Sequence, residues 1–284
     1  MERSYALPPN RSISLPSRLH PTSLRLEAEL NKLRAWEVRS CSSSATLIAE
    51  AIQTGLVGLS EVYRCVEELV YSSLAEHGCL LEDALEHSVN LLDSSRIVRD
   101  IQQKMKEQVV CLQSRLRRRG AELQVGDEIS SYIRLREKLK KEASKCIKSL
   151  KRAEKKFTHV PTLKDYQLAM LVKVLGEVNV ITSRVLQSLL LFLSSSGNTV
   201  KNRHGGCSLN LKLRPAEKIK KITNEVGSVH DTLFCVLHGT EEVTLADRKL
   251  QNLVISLDCI DAGLDVVFRR LIQYRVSILN VLTR

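Results

Sequence analysis

The pattern of apolar residues near the C-terminus predicts one long helix. Apolar side chains recur there at alternating spacings of three and four residues, which is the repeat of a helix that packs along a partner. We expect this helix to span about residues 240–283 and to form the central strut of a helical bundle. Its apolar stripe, the C-terminal seam, consists of Leu250, Leu253, Leu257, Ile260, Leu264, Val267, Leu271, Tyr274, Ile278 and Val281.

The same periodicity predicts a series of long helices in the rest of the chain. Gly55 and Gly58 predict a bend between two helical pieces. Pro215 fits the first turn of a later helix, which Gly239 ends. The fold class is therefore predicted to be all-α: an elongated antiparallel bundle of long helices that forms a single domain over residues 22–284.

The composition of the chain and the positions of its Pro, Gly, Ser and Asn residues predict two segments that are not helical. Apolar residues make up 43% of the chain and aromatic residues only 4%, which is typical of helices that pack through aliphatic side chains. Four prolines argue against a helix in residues 1–21, which are predicted to be a disordered N-terminal arm. Residues 194–214 are rich in Ser, Gly and Asn and are predicted to form a flexible loop.

The positive charge of the chain is concentrated in one quarter of its length. Residues 96–156 contain 19 Lys or Arg and 8 Asp or Glu, which equals the formal net charge of +11 of the whole chain. The rest of the sequence is therefore balanced. We call this region the basic helical hairpin, because the predicted turn near Gly120 to Gly126 divides it into two helices.

The second helix of the hairpin has two opposite faces. A mostly apolar seam runs along it through Ile129, Tyr132, Arg136, Leu139, Ala143, Cys146, Leu150 and Ala153. Basic residues follow two positions after successive seam residues, which is about 200° around a helix. They form a basic stripe on the opposite face, consisting of Arg134, Lys138, Lys141, Lys145, Lys148, Arg152 and Lys155. Glu137, Glu142 and Glu154 are expected to pair locally at i,i+4 with some of these charges.

Cysteine usage and hydropathy predict the compartment. The eight cysteines are scattered without zinc-type spacing, which favours a reducing environment and no metal site. The first 21 residues lack the apolar core of a secretory signal, so we expect a cytoplasmic protein that is not secreted, peripheral at membranes if it meets them at all. Val185–Phe192 is shorter than the roughly 20 apolar residues of a membrane span, and is interpreted as part of a buried core helix.

The N-terminal arm carries one short motif. Arg11 lies three residues before Ser14, as a basophilic kinase requires, and Pro16 follows Ser14 by two residues. Together with Ser12, this string resembles the arginine-serine-x-phosphoserine-x-proline ligands of 14-3-3 proteins, in which an arginine cluster holds the phosphate. Phosphorylation-dependent docking is one hypothesis for the arm, and a plain unstructured arm is the other.

Several long strings resemble the plant BYPASS-related family of uncharacterised helical proteins, a plant domain of unknown function. They are Ser14–Pro21, Leu91–Gly120, Tyr132–Lys151, Val174–Leu193 and Phe268–Leu282. The resemblance implies plant origin, an all-helical fold and an association of some members with root and shoot development. It implies no catalytic residue and no cofactor.

Three classes of function follow from these features. The first is a non-enzymatic adaptor or regulator in plant development or stress signalling, whose basic stripe binds anionic membrane or an acidic partner such as a calcium sensor. Nucleic acid is disfavoured as a ligand, because no aromatic residues are interleaved with the basic residues. The second is an enzyme with a dispersed site, although no phosphate-binding glycine loop or nucleophile motif is present. The third is a coiled-coil-like oligomer joined through the C-terminal seam. The alternative to any binding role is that the basic stripe is a solvated face that keeps the bundle soluble.

Overall fold

A computed structural model describes residues 21–41, 47–73, 78–119, 125–156, 166–195, 223–240 and 242–283. Within these ranges the chain forms seven helices and no strand, which confirms the all-α prediction. The helices are α1 (Pro21–Cys41), α2 (Ala49–Ser73), α3 (Gly78–Arg119), α4 (Val125–Lys156), α5 (Tyr166–Leu193), α6 (Glu225–Leu237) and α7 (Val243–Leu282). The predicted loop 194–214 lies outside the described residues except for its first two.

Helix α7 is the central strut of the bundle, and its bounds agree with the predicted range to within three residues. It packs against α2, α3 and α6. All the residues of the C-terminal seam are buried except Val281, which is partly buried against the same core. Because helices of the same chain fill this seam, it is not available to a second copy in this fold.

Ion pairs between helices establish the antiparallel arrangement of α3 and α4. Arg115 of α3 pairs with Glu128 of α4, and Lys104 pairs with Glu142 at 3.6 Å. The residue number rises on one helix as it falls on the other, so the two helices run in opposite directions. The five residues between them, 120–124, are outside the described part of the chain.

The predicted bend at Gly55 and Gly58 is wrong, because α2 is one continuous helix. Both glycines instead face α1. A β-carbon at residue 58 would lie 2.7 Å from Cδ2 of Leu33, closer than such contacts occur. The absence of side chains at these two positions lets α1 and α2 approach each other, a role that the sequence does not distinguish from helix breaking.

Pro215, the predicted first turn of the sixth helix, lies outside the described residues, within which α6 begins at Glu225. Asn224 has an extended backbone and caps α6, and its side-chain oxygen accepts a hydrogen bond from the Gly227 N–H at 2.9 Å. The Asn224 side-chain amide donates to the Phe192 carbonyl oxygen at 3.1 Å, so the cap also fixes α6 to the end of α5.

Helix α5 passes through the core. By length and composition alone, Lys173–Leu193 could cross a membrane, yet 67% of this segment's most apolar window is buried inside the bundle. Its side chains contact α2, α3 and α4. This burial agrees with the interpretation of Val185–Phe192 as part of a core helix.

Candidate functional site

Helix α4 divides into a buried face and an exposed face, as its sequence predicts. The apolar members of its seam from Ile129 to Leu150 are buried against the core, and Ala153 is partly buried. All seven residues of the basic stripe are exposed. The stripe extends for about 30 Å, because 21 residues separate its ends and each adds about 1.5 Å. The helix therefore presents a straight row of cations to solvent.

Most of the stripe's charge has no counterion among the described residues. In that part of the chain, no ion pair or hydrogen bond involves the side chains of Arg134, Lys138, Lys141, Lys145, Lys148 or Arg152. Exposed ammonium and guanidinium groups in a row repel one another and raise the local potential. The surface is therefore suited to an extended anionic partner.

The acidic residues of α4 pair mostly with neighbouring helices rather than locally at i,i+4. Glu154 instead accepts a hydrogen bond from Arg184 of α5 at 2.7 Å. Glu142 pairs with α3, and Glu137 pairs with Lys140, which lies outside the stripe, at 3.4 Å. Two of the three acids of α4 are therefore used in pairs between helices.

Three basic residues of α3 pair with acids of α7. Lys106 pairs with Asp258 at 2.8 Å and with Asp261 at 3.3 Å. Arg99 pairs with Asp265 at 3.0 Å, and further along the helix Arg117 pairs with Asp247 in the same way. The two halves of the basic helical hairpin thus differ: α3 uses much of its charge in ion pairs with neighbouring helices, whereas the stripe of α4 is exposed to solvent.

The seam of α4 contains a buried polar cluster whose role the sequence did not reveal. Arg136 is 6% exposed, and its Nη2 donates to the carbonyl oxygen of Ser195, just after α5. Tyr132, one helical turn earlier, is 2% exposed, and His230 of α6 is 6% exposed. Burial raises the pKa of the Tyr132 hydroxyl. Burial, followed by the positive charge of Arg136, lowers the pKa of the His230 imidazole. We call these three residues the buried donor cluster.

A comparison with protein families identifies the chain. The family model described as Protein BPS1 matches residues 55–281, about four-fifths of the sequence. The chain belongs to the BPS1 family. This match confirms the resemblance to the BYPASS-related plant family. A search of curated proteins finds no match, and a search of solved structures likewise finds none.

The BPS1 match covers the helices that carry both candidate sites. It begins at Gly55 within α2 and ends at Val281 near the last turn of α7. The basic stripe and the buried donor cluster therefore lie within the BPS1 region, whereas α1 and the N-terminal arm precede it.

The remaining candidate residues of this BPS1 protein are those of the N-terminal motif and of a possible metal site. The motif residues Arg11, Ser12, Ser14 and Pro16 lie outside the described residues. Within the described ranges, no group of three or more His, Cys, Asp or Glu residues is arranged to hold a metal ion.

Proposed function

We propose that this BPS1 protein is a non-enzymatic helical adaptor that docks on anionic membrane from the cytoplasm through its basic stripe. The observation that carries the proposal is the contrast between α3 and α4. Arg99, Lys106 and Arg117 of α3 pair with acids of α7, whereas six cations of the stripe are exposed and have no ion-pair partner among the described residues. Each basic residue near an anionic bilayer contributes about 1 kcal/mol to binding.

Membrane is preferred to an acidic calcium sensor because of where the apolar face of α4 lies. Such sensors take up a helix by its apolar anchors, and Ile133 and Ile147 are the residues of α4 that could act as anchors. Both side chains pack against the core. A sensor would have to draw α4 out of the bundle, whereas a flat anionic surface needs only the exposed stripe.

The second part of the proposal concerns regulation and setting. Phosphorylation of Ser14 would create a 14-3-3 ligand in the arm, which precedes the bundle in the chain. We propose a setting in plant development or stress signalling, and the association of some BYPASS-related members with root and shoot development supports the developmental setting. The bundle then serves as a rigid body that joins a membrane-binding surface to a phosphorylation-controlled arm.

The test is binding of the full chain to vesicles of phosphatidylcholine with and without phosphatidylserine. We expect binding only to the anionic vesicles, and a loss of binding at high salt because the Debye length falls from about 10 Å at 0.1 M to about 3 Å at 1 M. Changing Lys138, Lys141, Lys145 and Lys148 to Gln should weaken binding by up to about 4 kcal/mol.

A matched control removes the same charge from other helices. It changes Lys32 of α1, Arg96 of α3, and Arg248 and Arg269 of α7 to Gln, all of which are exposed. This control should bind anionic vesicles far better than the stripe variant. Equal weakening of the two variants would mean that net charge alone acts, and equal binding to neutral vesicles would refute the membrane proposal.

A further inference from the structure

Unpartnered buried donors are concentrated at one place in the bundle. Within the described part of the chain, seven buried side-chain atoms lack a hydrogen-bond partner. Four of the seven belong to the buried donor cluster: Oη of Tyr132, Nε and Nη1 of Arg136, and Nδ1 of His230. Buried polar groups in proteins almost always have partners, so this concentration points to a ligand.

Arg136 is the strongest reason to expect an anion. Its guanidinium cannot lose its proton in a protein, so it remains charged even when buried. Its one hydrogen bond goes to the neutral carbonyl of Ser195, and no ion pair joins it to a described carboxylate. A buried charge is unfavourable unless an opposite charge compensates it. Two nitrogens of the same group remain to donate to such a charge.

The surroundings of the cluster also favour an anion. Arg136 donates a hydrogen bond to the carbonyl oxygen of Ser195. Ser195 in turn lies beside the first turn of α6, because a β-carbon added to Gly227 of that helix would be 3.1 Å from Ser195 Oγ. The start of a helix carries partial positive charge and attracts anions. His230 on the same helix is 4.0 Å from the carboxylate of Asp231, too far for a hydrogen bond.

We propose that Tyr132, Arg136 and His230 form a binding site for a phosphate group between α4, α6 and the end of α5. The donors come from two helices, which suits the tetrahedral array of phosphate oxygens better than the two coplanar oxygens of a carboxylate. The site lies on the buried face of α4, opposite the basic stripe. It is therefore independent of the membrane-docking proposal.

The test is thermal unfolding of the full chain with inorganic phosphate, against chloride at equal ionic strength. We expect phosphate to raise the melting temperature of the wild type in a saturable way, because a ligand of the folded state stabilises it. Arg136→Met should abolish the rise. Arg96→Met, which removes an exposed arginine of α3, should keep it. The comparison is repeated with the four stripe lysines changed to Gln, so that phosphate bound by the stripe does not contribute.

Further measurements make the outcome decisive even if Arg136→Met fails to fold. Tyr132→Phe removes one donor without changing the packing, and should reduce the saturable rise. In the wild type, bound phosphate should raise the pKa of His230, as followed by NMR of its ring. A response to acetate but not to phosphate, an Arg136→Met response equal to that of the wild type, or no wild-type response at all would overturn the proposal.

Discussion

The indole of Trp36 on α1 lies directly on the backbone of Gly55 on α2. A β-carbon at residue 55 would be 2.6 Å from Cζ2 of Trp36. The indole N–H also donates to the carbonyl oxygen of Ala51 at 2.6 Å, one turn earlier on α2. The ring is therefore held by α2 on two sides and cannot move away from a larger residue.

This relationship predicts that Gly55→Ala destabilises the bundle. Overpacking costs about 1–3 kcal/mol, and the better helix propensity of alanine offsets up to about 1 kcal/mol. We expect the free energy of unfolding in urea to fall by about 1–2 kcal/mol. Gly126→Ala is the control, since its β-carbon would meet only Leu237 Cδ1 at an ordinary 3.4 Å. If both substitutions are neutral or stabilising, the close approach at Gly55 is not a constraint.

A second prediction concerns a cap formed by residues far apart in the chain. The carboxylate of Glu225, at the start of α6, accepts a hydrogen bond from the Ala49 N–H at the start of α2 at 3.1 Å. Removing an N-terminal cap costs about 0.5–2 kcal/mol, so Glu225→Ala should lower the free energy of unfolding by that amount. Glu242→Ala is the control, because Glu242 precedes α7 without a side-chain cap bond. A loss no larger than that of the control would contradict the capping role.

The buried histidine predicts a pH dependence of stability. Burial, and then the charge of Arg136, lowers the pKa of His230 in the folded state. The unfolded chain therefore binds more protons than the folded chain once the pH falls below about 6.5. By linkage, stability is fully present above that pH and is lost as the pH falls towards the lowered pKa, by at most about 1.4 kcal/mol per pH unit. Charged groups near His230 are Arg136, Lys140 and Glu137 on α4 and Asp231 on α6.

Urea unfolding above and below the ordinary histidine pKa, in phosphate-free buffer, measures this effect. His230→Gln should lose less stability on acidification than the wild type does. His238 is exposed, so His238→Gln should leave the pH dependence unchanged. Identical acid sensitivity of the wild type and His230→Gln would assign the effect to other groups.

The sequence was sufficient to predict the helices but not the contacts between them. The three-four periodicity predicted α7 and its seam, because a helix must bury an apolar stripe whatever its partner is. It did not distinguish the glycines of α2 from helix breakers. Trp36, which packs against Gly55, lies on α1, and nothing in the sequence of α2 identifies it as the neighbour of that glycine. The cap of α6 at Asn224 was not predicted, because its hydrogen bond to the Phe192 carbonyl joins α6 to the end of α5, more than thirty residues earlier in the chain.

The two candidate sites also differ in how far the sequence could predict them. The exposure of the basic stripe follows from helix geometry alone. The sequence of α4 does not show whether acids from other helices neutralise the stripe. In the structure, Asp258 and Asp265 of α7 pair with α3, and the described residues supply no counterion to six of the stripe's cations. The buried donor cluster was missed because Arg136 was counted as one position of an apolar seam. An arginine one turn after Tyr132 was a signal, but His230 lies nearly a hundred residues later in the chain.

The different roles of α3 and α4 predict opposite effects for two lysines. Lys106 bridges Asp258 and Asp261, and its pKa is raised first by the hydrogen bond to Asp258. Lys106→Met should lower the free energy of unfolding by less than about 1 kcal/mol, the usual range for an exposed pair, and leave vesicle binding nearly unchanged. Lys145→Met should leave stability unchanged and weaken vesicle binding by about 1 kcal/mol. Equal effects on binding would show that the α3 charges also contribute to docking.

The N-terminal motif predicts a site whose role is separate from that of the stripe. A 14-3-3 groove holds phosphoserine through arginines and requires the chain to turn away two residues later, which Pro16 permits. The full chain phosphorylated by a basophilic kinase should therefore bind 14-3-3, and Ser14→Ala should abolish that binding. Ser17→Ala, a neighbouring serine outside the motif, should retain it. Vesicle binding should be the same for both variants, because neither lies on α4. If Ser14→Ala still binds 14-3-3 as strongly as Ser17→Ala does, the arm is not the docking segment and the interaction must be sought elsewhere in the chain.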